Sequence, residues 1–159
     1  MRNTPTLLAI VFVAVWTPNA AAQDWHADPT YGTVELQQGF RPDPYATALT
    51  AGGGTAVSIE GCRFGHVASA PDVDLKYSTS GGSTLYIYVR SNDDTTLLIN
   101  LSSGSWVCDD DGLGNSNPLV VIPNAPAGLY DIWVGTYGDE LSDATVYISE
   151  IDPRGKVKE

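Results

Sequence analysis

From residue 31 onward, apolar and polar residues alternate in short runs, and Gly, Pro, Asp, Asn and Ser separate one run from the next. A period of two is typical of β-strands that bury one face and expose the other. In residues 85–90, for example, Leu, Ile and Val alternate with Tyr, Tyr and Arg. Beyond the N-terminal apolar run, no segment has the spacing of an amphipathic helix. The pattern predicts an all-β, single-domain antiparallel β-sandwich.

About eight to ten strands are expected in a sandwich of this kind. The segments that fit the pattern are residues 33–37, 45–50, 56–60, 73–77, 84–89, 95–101, 105–107, 119–122, 130–136 and 144–149. The 16 glycines and 10 prolines of the chain supply the turns between them.

The N-terminus carries the apolar run Leu7 to Trp16, which is too short to span a bilayer and has the length of a signal-peptide core. Pro18 then breaks the helix, and Ala20 to Ala22 place small residues where a signal peptidase cleaves. We expect a secreted or periplasmic protein without a membrane span after cleavage. The expected organisation is a signal peptide at 1–22, a flexible lead at 23–30, the sandwich domain at 31–150 and a disordered tail at 151–159.

The expected mature chain is strongly acidic. Cleavage removes Arg2 and no acidic residue, so 19 acidic residues stand against 7 basic ones, a net charge of −12. This charge disfavours binding to nucleic acid or to anionic membranes. The 137 residues after position 22 correspond to one domain of ordinary size, which leaves no room for a second, catalytic domain.

Cys62 and Cys108 are the only cysteines of the chain. In an exported protein, two cysteines form a disulfide by default. The alternative, a metal site, would need further Cys or His ligands, and the chain has only His26 and His66. We therefore predict a disulfide between Cys62 and Cys108.

The densest polar segment follows Cys108 directly. It contains Asp109, Asp110 and Asp111, two glycines, and then Asn115 and Asn117. No Lys or Arg lies between residues 90 and 154, so these carboxylates repel one another unless a cation binds them. Carboxylate and amide oxygens on a flexible loop are typical Ca²⁺ ligands, and Asp94 opens the strand that leads into this loop. The alternative is a solvated turn in which Asp and Asn side chains hydrogen-bond to the backbone.

Several short motifs in the second part of the chain resemble a known family. They are residues 94–100, residues 104–111, Asn117 with Pro118, and residues 127–135, which read AGLYDIWVG. Together they resemble the bacterial pre-peptidase C-terminal domain over roughly residues 69–150.

This resemblance implies a jelly-roll-like β-sandwich that accompanies secreted proteases and that calcium stabilises. By similarity, Asp94 matches the last acidic residue of the strand-opening motif, and Asp109 to Asp111 match the acidic loop. Thr96 stands where the family usually has a second aspartate, and the disulfide is not typical of the family.

Aromatic residues on the predicted strands suggest a second kind of site. Tyr86, Tyr88, Trp133 and Tyr137 could form an outward stripe on which a carbohydrate stacks, or they could pack in the interior as large aromatic residues usually do. For catalysis, the chain has no Gly-x-Ser-x-Gly elbow, and we assign no catalytic residues.

The sequence thus favours a secreted, calcium-stabilised, non-catalytic accessory or binding module whose partner is an extracellular protein or a polysaccharide. One alternative is a self-associating structural protein of the cell exterior. Another is a small secreted hydrolase of the serine-peptidase type.

Overall fold

The computed structural model describes residues 23–155 of the chain. The predicted signal peptide and the last four residues of the predicted tail lie outside this range. The strands are β1 (Thr33–Gln37), β2 (Tyr45–Ala51), β3 (Thr55–Ala56), β4 (His66–Val67), β5 (Val73–Ser78), β6 (Leu85–Ser91), β7 (Thr95–Asn100), β8 (Trp106–Asp109), β9 (Leu119–Ile122), β10 (Gly128–Thr136) and β11 (Ser142–Ser149).

Two sheets form the domain, and the predicted all-β sandwich is confirmed. The smaller sheet has the order β2-β11-β6-β9. In the larger sheet, β1, β5, β10, β4 and β3 follow one another, and β7 pairs with both β10 and β8. Within residues 23–155 no helix is long and apolar enough to cross a lipid bilayer.

The pairing of β1 with β5 differs from the expected antiparallel arrangement, because these two strands run parallel. A parallel pair needs a long connection that returns the chain to the same end of the sheet. Here the connection passes through the other sheet, since β2 lies between the two strands in sequence and pairs with β11. The remaining ladders are antiparallel.

The segment between β2 and β5 also differs from expectation. The predicted strand at 56–60 is wrong, because β3 ends at Ala56 and the chain then forms a tight turn in which Ile59 bridges Cys62. The two-residue strand β4 was not predicted, since such a short ladder has no detectable period in the sequence. Both short strands belong to a segment that crosses the outside of the large sheet.

The main core lies between the two sheets and takes its side chains from both of them, for example Leu75 and Ile132 from the large sheet and Ile87 and Val146 from the small one. These four side chains have at most 1% of their surface exposed. Their alternation with outward-facing residues is what produces the period of two in the sequence.

A second, smaller cluster lies on the opposite face of the large sheet. It consists of Val57, Cys62, Val67, Leu98 and Trp133, with Trp106 and Cys108 packed against it. The segment that contains β3 and β4 covers this cluster, and the predicted disulfide between Cys62 and Cys108 fastens that segment to β8. The small sheet thus covers the inner face of the larger sheet, whereas the disulfide-linked segment covers only part of its outer face.

Residues 23–30, predicted as a flexible lead, run beside the chain just before β5, where Asp24 N donates to Ser69 O and Thr30 N donates to Pro71 O. At the other end, the first residues of the predicted tail form a turn in which the Arg154 guanidinium binds the Asp152 carboxylate at 2.8 Å.

Candidate functional site: an open groove and the acidic loop

Four polar or aromatic residues form one row across the outer face of the large sheet. Asp131 of β10 is the register partner of Asp74 on β5 and of Asn100 on β7. Asn100 is in turn the partner of Trp106 on β8. Because register partners on neighbouring strands lie about 5 Å apart, these side chains form a continuous strip.

The next row on the same face is apolar. Trp133 pairs with Leu98, and Leu98 pairs with Cys108. The disulfide-linked segment covers this second row. The polar row lies beyond the edge of that cover.

A groove of about 420 Å³ runs along the uncovered row. Trp106 and Asn100 line it together with Trp25 from the N-terminal segment, and Asp131 is the most buried of its lining residues, with 3% of its surface exposed. The turn that joins β7 to β8 adds Ser102 and Ser103. Trp25 has 48% of its surface exposed, and its ring lies 3.5 Å from that of His26, measured between centroids. The groove thus offers two indole rings beside amide, carboxyl and hydroxyl groups.

The carboxyl groups of Asp74 and Asp131 hydrogen-bond to each other. Burial, together with the charge and the hydrogen bond of the nearby Asp74, raises the pKa of Asp131 to about 6, although the charge of His26 opposes part of that shift. Burial also raises the pKa of Asp74, while the hydrogen bond with Asp131 and the charge of Lys76 lower it. Two carboxyl groups can only hydrogen-bond when one of them keeps a proton, so the pair carries one negative charge instead of two.

The Oδ1 atoms of this pair are buried. Among the described residues, Asp74 Oδ1 and Asp131 Oδ1 are buried without a donor other than the proton that the two carboxyl groups share. A buried carboxylate without a partner is costly and is a recurrent feature of binding sites.

The predicted calcium ligands lie at another part of the molecule: Asp94 directly precedes β7, Asp109 ends β8, and the others are on the loop that follows β8. Burial raises the pKa of Asp110, and the carboxylates of Asp111, Asp109 and Asp94 raise it further. The structure therefore brings these four acidic residues into mutual electrostatic contact.

Two of the predicted ligands already bind the protein itself. The Asp109 carboxylate accepts hydrogen bonds from Gly112 N at 2.6 Å and from Leu119 N at 2.8 Å. The side chain of Asn117 accepts from Ser91 N and donates to Ser91 O and Asn115 O. Asn115 and Ser116 have left-handed backbone conformations, with φ of 56° and 54°. Asp109 and Asn117 thus hydrogen-bond to the backbone, as expected for a turn that Asp and Asn side chains stabilise.

Within the described part of the chain, no group of three or more Asp, Glu, His or Cys side chains has the geometry of a metal site. Calcium binding therefore remains a prediction, in which Asp94, Asp110 and Asp111 are the carboxylates not committed to the backbone hydrogen bonds described above.

The four aromatic residues predicted as a stacking stripe do not share a surface. Trp133 is fully buried in the second cluster on the large sheet, where its ring centroid lies 5.3 Å from that of Trp106. Tyr86 and Tyr88 belong to the small sheet, and Tyr88 is buried against Tyr147 with ring centroids 5.0 Å apart. Tyr137 is exposed at the end of β10. The aromatic residues that line the groove described above are instead Trp25 and Trp106.

The sequence contained one signal for this groove that the strand pattern obscured. Asp74 and Asp131 each stand inside an apolar strand, in VDLKY and GLYDIWVG. An acidic residue on the half-covered face of such a strand is expected either to contact solvent or to belong to a binding site.

Compared with known proteins, the chain matches no family model, and no curated protein is significantly similar to it. The resemblance to the pre-peptidase C-terminal domain therefore remains a prediction.

Proposed function

We propose that this protein is an exported, non-catalytic binding module that holds a polysaccharide in the groove of the large sheet. The observation that carries the proposal is the combination of the Trp25 and Trp106 indoles with the polar groups of Asn100 and Asp131 in one open groove. A pyranose ring has an apolar face that stacks on an indole and hydroxyl groups that need hydrogen-bond partners. The groove provides both kinds of contact.

Export is supported by the disulfide, which joins the only two cysteines of the chain. Disulfides of this kind persist in oxidising compartments and are rare in the cytosol. The predicted signal peptide and the strongly acidic composition agree with this location.

We also propose that Ca²⁺ stabilises the acidic loop. The support is electrostatic: the carboxylates of Asp111 and Asp94 contribute to the raised pKa of Asp110, and none of these three residues belongs to an ion pair within residues 23–155. A divalent cation would relieve this repulsion. In this proposal calcium supports the fold, while the ligand groove lies elsewhere.

The polysaccharide proposal is tested by depletion of the purified, oxidised protein on insoluble cellulose, xylan and chitin, and by electrophoresis through gels that contain soluble polysaccharides. We expect retention by at least one of them. Trp25→Ala should weaken this retention roughly two- to tenfold, since a stacked aromatic ring contributes about 0.5–1.5 kcal/mol.

The matched control is Tyr137→Ala, which removes an exposed aromatic ring (57% exposed) away from the groove. It should leave retention unchanged. The proposal is wrong if no polysaccharide retains the protein, or if the two variants weaken retention equally.

A further inference from the structure

The groove carries an unbalanced negative charge next to its indole rings. The ion pairs within residues 23–155 join His26 to Asp24, Lys76 to Glu35 and Arg154 to Asp152, and none of them includes Asp74 or Asp131. Lys76 Nζ is held at 3.2 Å from the Glu35 carboxylate. A further carboxylate, that of Asp28, acts on Asp74 by charge repulsion. Apart from the influence of His26 and Lys76, the groove floor is acidic.

This charge sits where water solvates it poorly. Asp131 has only 3% of its surface exposed, and among the described residues its Oδ1 atom and Asp74 Oδ1 have no donor beyond the proton that the two carboxyl groups share. A carboxylate in such a place gains most from a ligand that brings both a positive charge and N–H donors.

The other groups of the groove suit the same ligand. Indole faces attract cations, and Trp25 and Trp106 both line the groove. The net charge of the whole chain, −11, would draw a polycation towards the protein.

We propose that the polysaccharide is one with free amino groups, a hexosamine polymer, and that a sugar ammonium group donates hydrogen bonds to Asp131. This inference rests on the proposed function and names the ligand class for the same groove. A peptide lysine would supply the same charge. However, its methylene stem has no polar group for the hydrogen-bonding capacity that remains on Asn100, Ser102 and Ser103. Asn100 Nδ2 donates to Gly104 O and Ser103 Oγ accepts from Ser105 N, but Asn100 Oδ1 and the two serine hydroxyls can each form a further bond with a sugar hydroxyl.

The test compares two oligosaccharides of equal length in a calorimetric titration of the wild-type protein at mildly acidic pH. One is a glucosamine oligomer with free amines, and the other is its fully N-acetylated counterpart. We expect the free-amine oligomer to bind at least about tenfold more tightly, because only it can form a charge-assisted hydrogen bond with the carboxyl pair.

The double variant Asp74→Asn, Asp131→Asn should remove this preference, because it removes the single negative charge of the pair whichever carboxyl group holds the proton. Trp25 should still support weak binding to both sugars. Asp28→Asn is the matched control, since it removes the charge of an exposed acidic residue near the pair without changing the groove floor, and it should keep most of the preference. If the double variant does not fold, as thermal unfolding would show, the wild-type comparison decides the question alone.

Three results would overturn the inference, and they differ in what they imply. Equal binding of the two oligosaccharides would refute the amino-sugar preference but leave the polysaccharide proposal standing. Binding of neither these sugars nor any polysaccharide in the depletion assay would refute both. Equally tight binding of an oligolysine of matched charge would identify the groove as a site for cationic peptides.

Discussion

Asp72 shows how much a single buried side chain can affect the stability of this domain. It precedes β5, has 2% of its surface exposed, and accepts a hydrogen bond from Val134 N at 2.7 Å. Burial raises its pKa to about 7, although the hydrogen bond with Val134 opposes part of that shift. The folded protein therefore holds a proton here that the unfolded chain releases at lower pH.

This difference in proton binding determines whether the stability of the domain rises or falls with pH. The pKa of Asp72 is about 7 in the folded state and near 3.8 in the unfolded chain. Between these values the folded state binds more protons, so stability falls as pH rises, by at most about 1.4 kcal/mol per pH unit for one group. Asp131 contributes in the same direction up to its own pKa of about 6.

Asp72→Asn should flatten this dependence, because an amide oxygen can still accept from Val134 N and carries no charge. Urea unfolding at several pH values from about 4 to 7 measures it. We expect the variant to lose less stability than the wild type as pH rises, with a difference that grows up to about pH 7, where Asp72 itself ionises in the folded state. Parallel curves for the two proteins would contradict this account of Asp72.

At the scale of elements, the segment from β2 to β5 determines which part of the large sheet stays open. It covers the apolar row of Leu98 and Trp133, and its backbone passes very close to itself: a Cβ on Gly53 would lie 2.3 Å from Val67 O. Gly54 is next to it in sequence but has open space at the same position. The close approach at residue 53 holds β4 against the end of β2.

Gly53→Ala should therefore destabilise the domain by about 2–3 kcal/mol, since the added methyl group meets backbone atoms that cannot move independently of β4. Gly54→Ala is the matched control and should change stability by less than about 0.5 kcal/mol. Denaturant unfolding of the two variants gives the comparison. Similar stabilities of the two would show that the close approach is not required.

Removal of the disulfide tests the same segment from its other end. It closes a loop with a sequence separation of 46 residues, and on the chain-entropy model it contributes on the order of 4 kcal/mol. Replacement of Cys62 and Cys108 by Ala should lower the free energy of unfolding by several kcal/mol. Amide hydrogen exchange should increase first in residues 57–65, because that segment then loses its covalent attachment to β8. An equal increase in exchange across both sheets would contradict the expectation that residues 57–65 open first.

For the whole molecule, acidity is the dominant property, with a formal net charge of −11 and a loop in which four carboxylates interact. Calcium at about a hundredfold excess over its Kd should stabilise the folded state by about 2.7 kcal/mol and raise the Tm by several degrees. Thermal unfolding with calcium or with chelator, at fixed ionic strength, measures this shift.

Asp110→Asn is the informative variant, because Asp109 and Asn117 also hold the loop through backbone hydrogen bonds. It should abolish the calcium-dependent shift and slightly raise the stability of the calcium-free protein, since it removes a repelling charge. Asp139→Asn, at an exposed position outside the loop, should keep the shift. A Tm that does not respond to calcium would leave the loop as a solvated turn.

The sequence by itself determined the all-β sandwich, most of its strands and the disulfide. These features depend on local alternation and on the presence of only two cysteines, both of which can be read along the chain. The two-residue strands β3 and β4 and the parallel pairing of β1 with β5 depend on contacts distant in sequence, so no local period predicted them.

The groove was decided by the tertiary structure alone. Its lining residues Trp25, Asn100, Trp106 and Asp131 come from four separate segments of the chain, and strand register places the last three in one row with Asp74, which hydrogen-bonds to Asp131. The same register places Trp133, for which the sequence left both ligand stacking and interior packing open, in the row that the disulfide-linked segment covers. The period of two assigns each residue to a face, but only the packing of distant segments determines which part of that face remains open to a ligand.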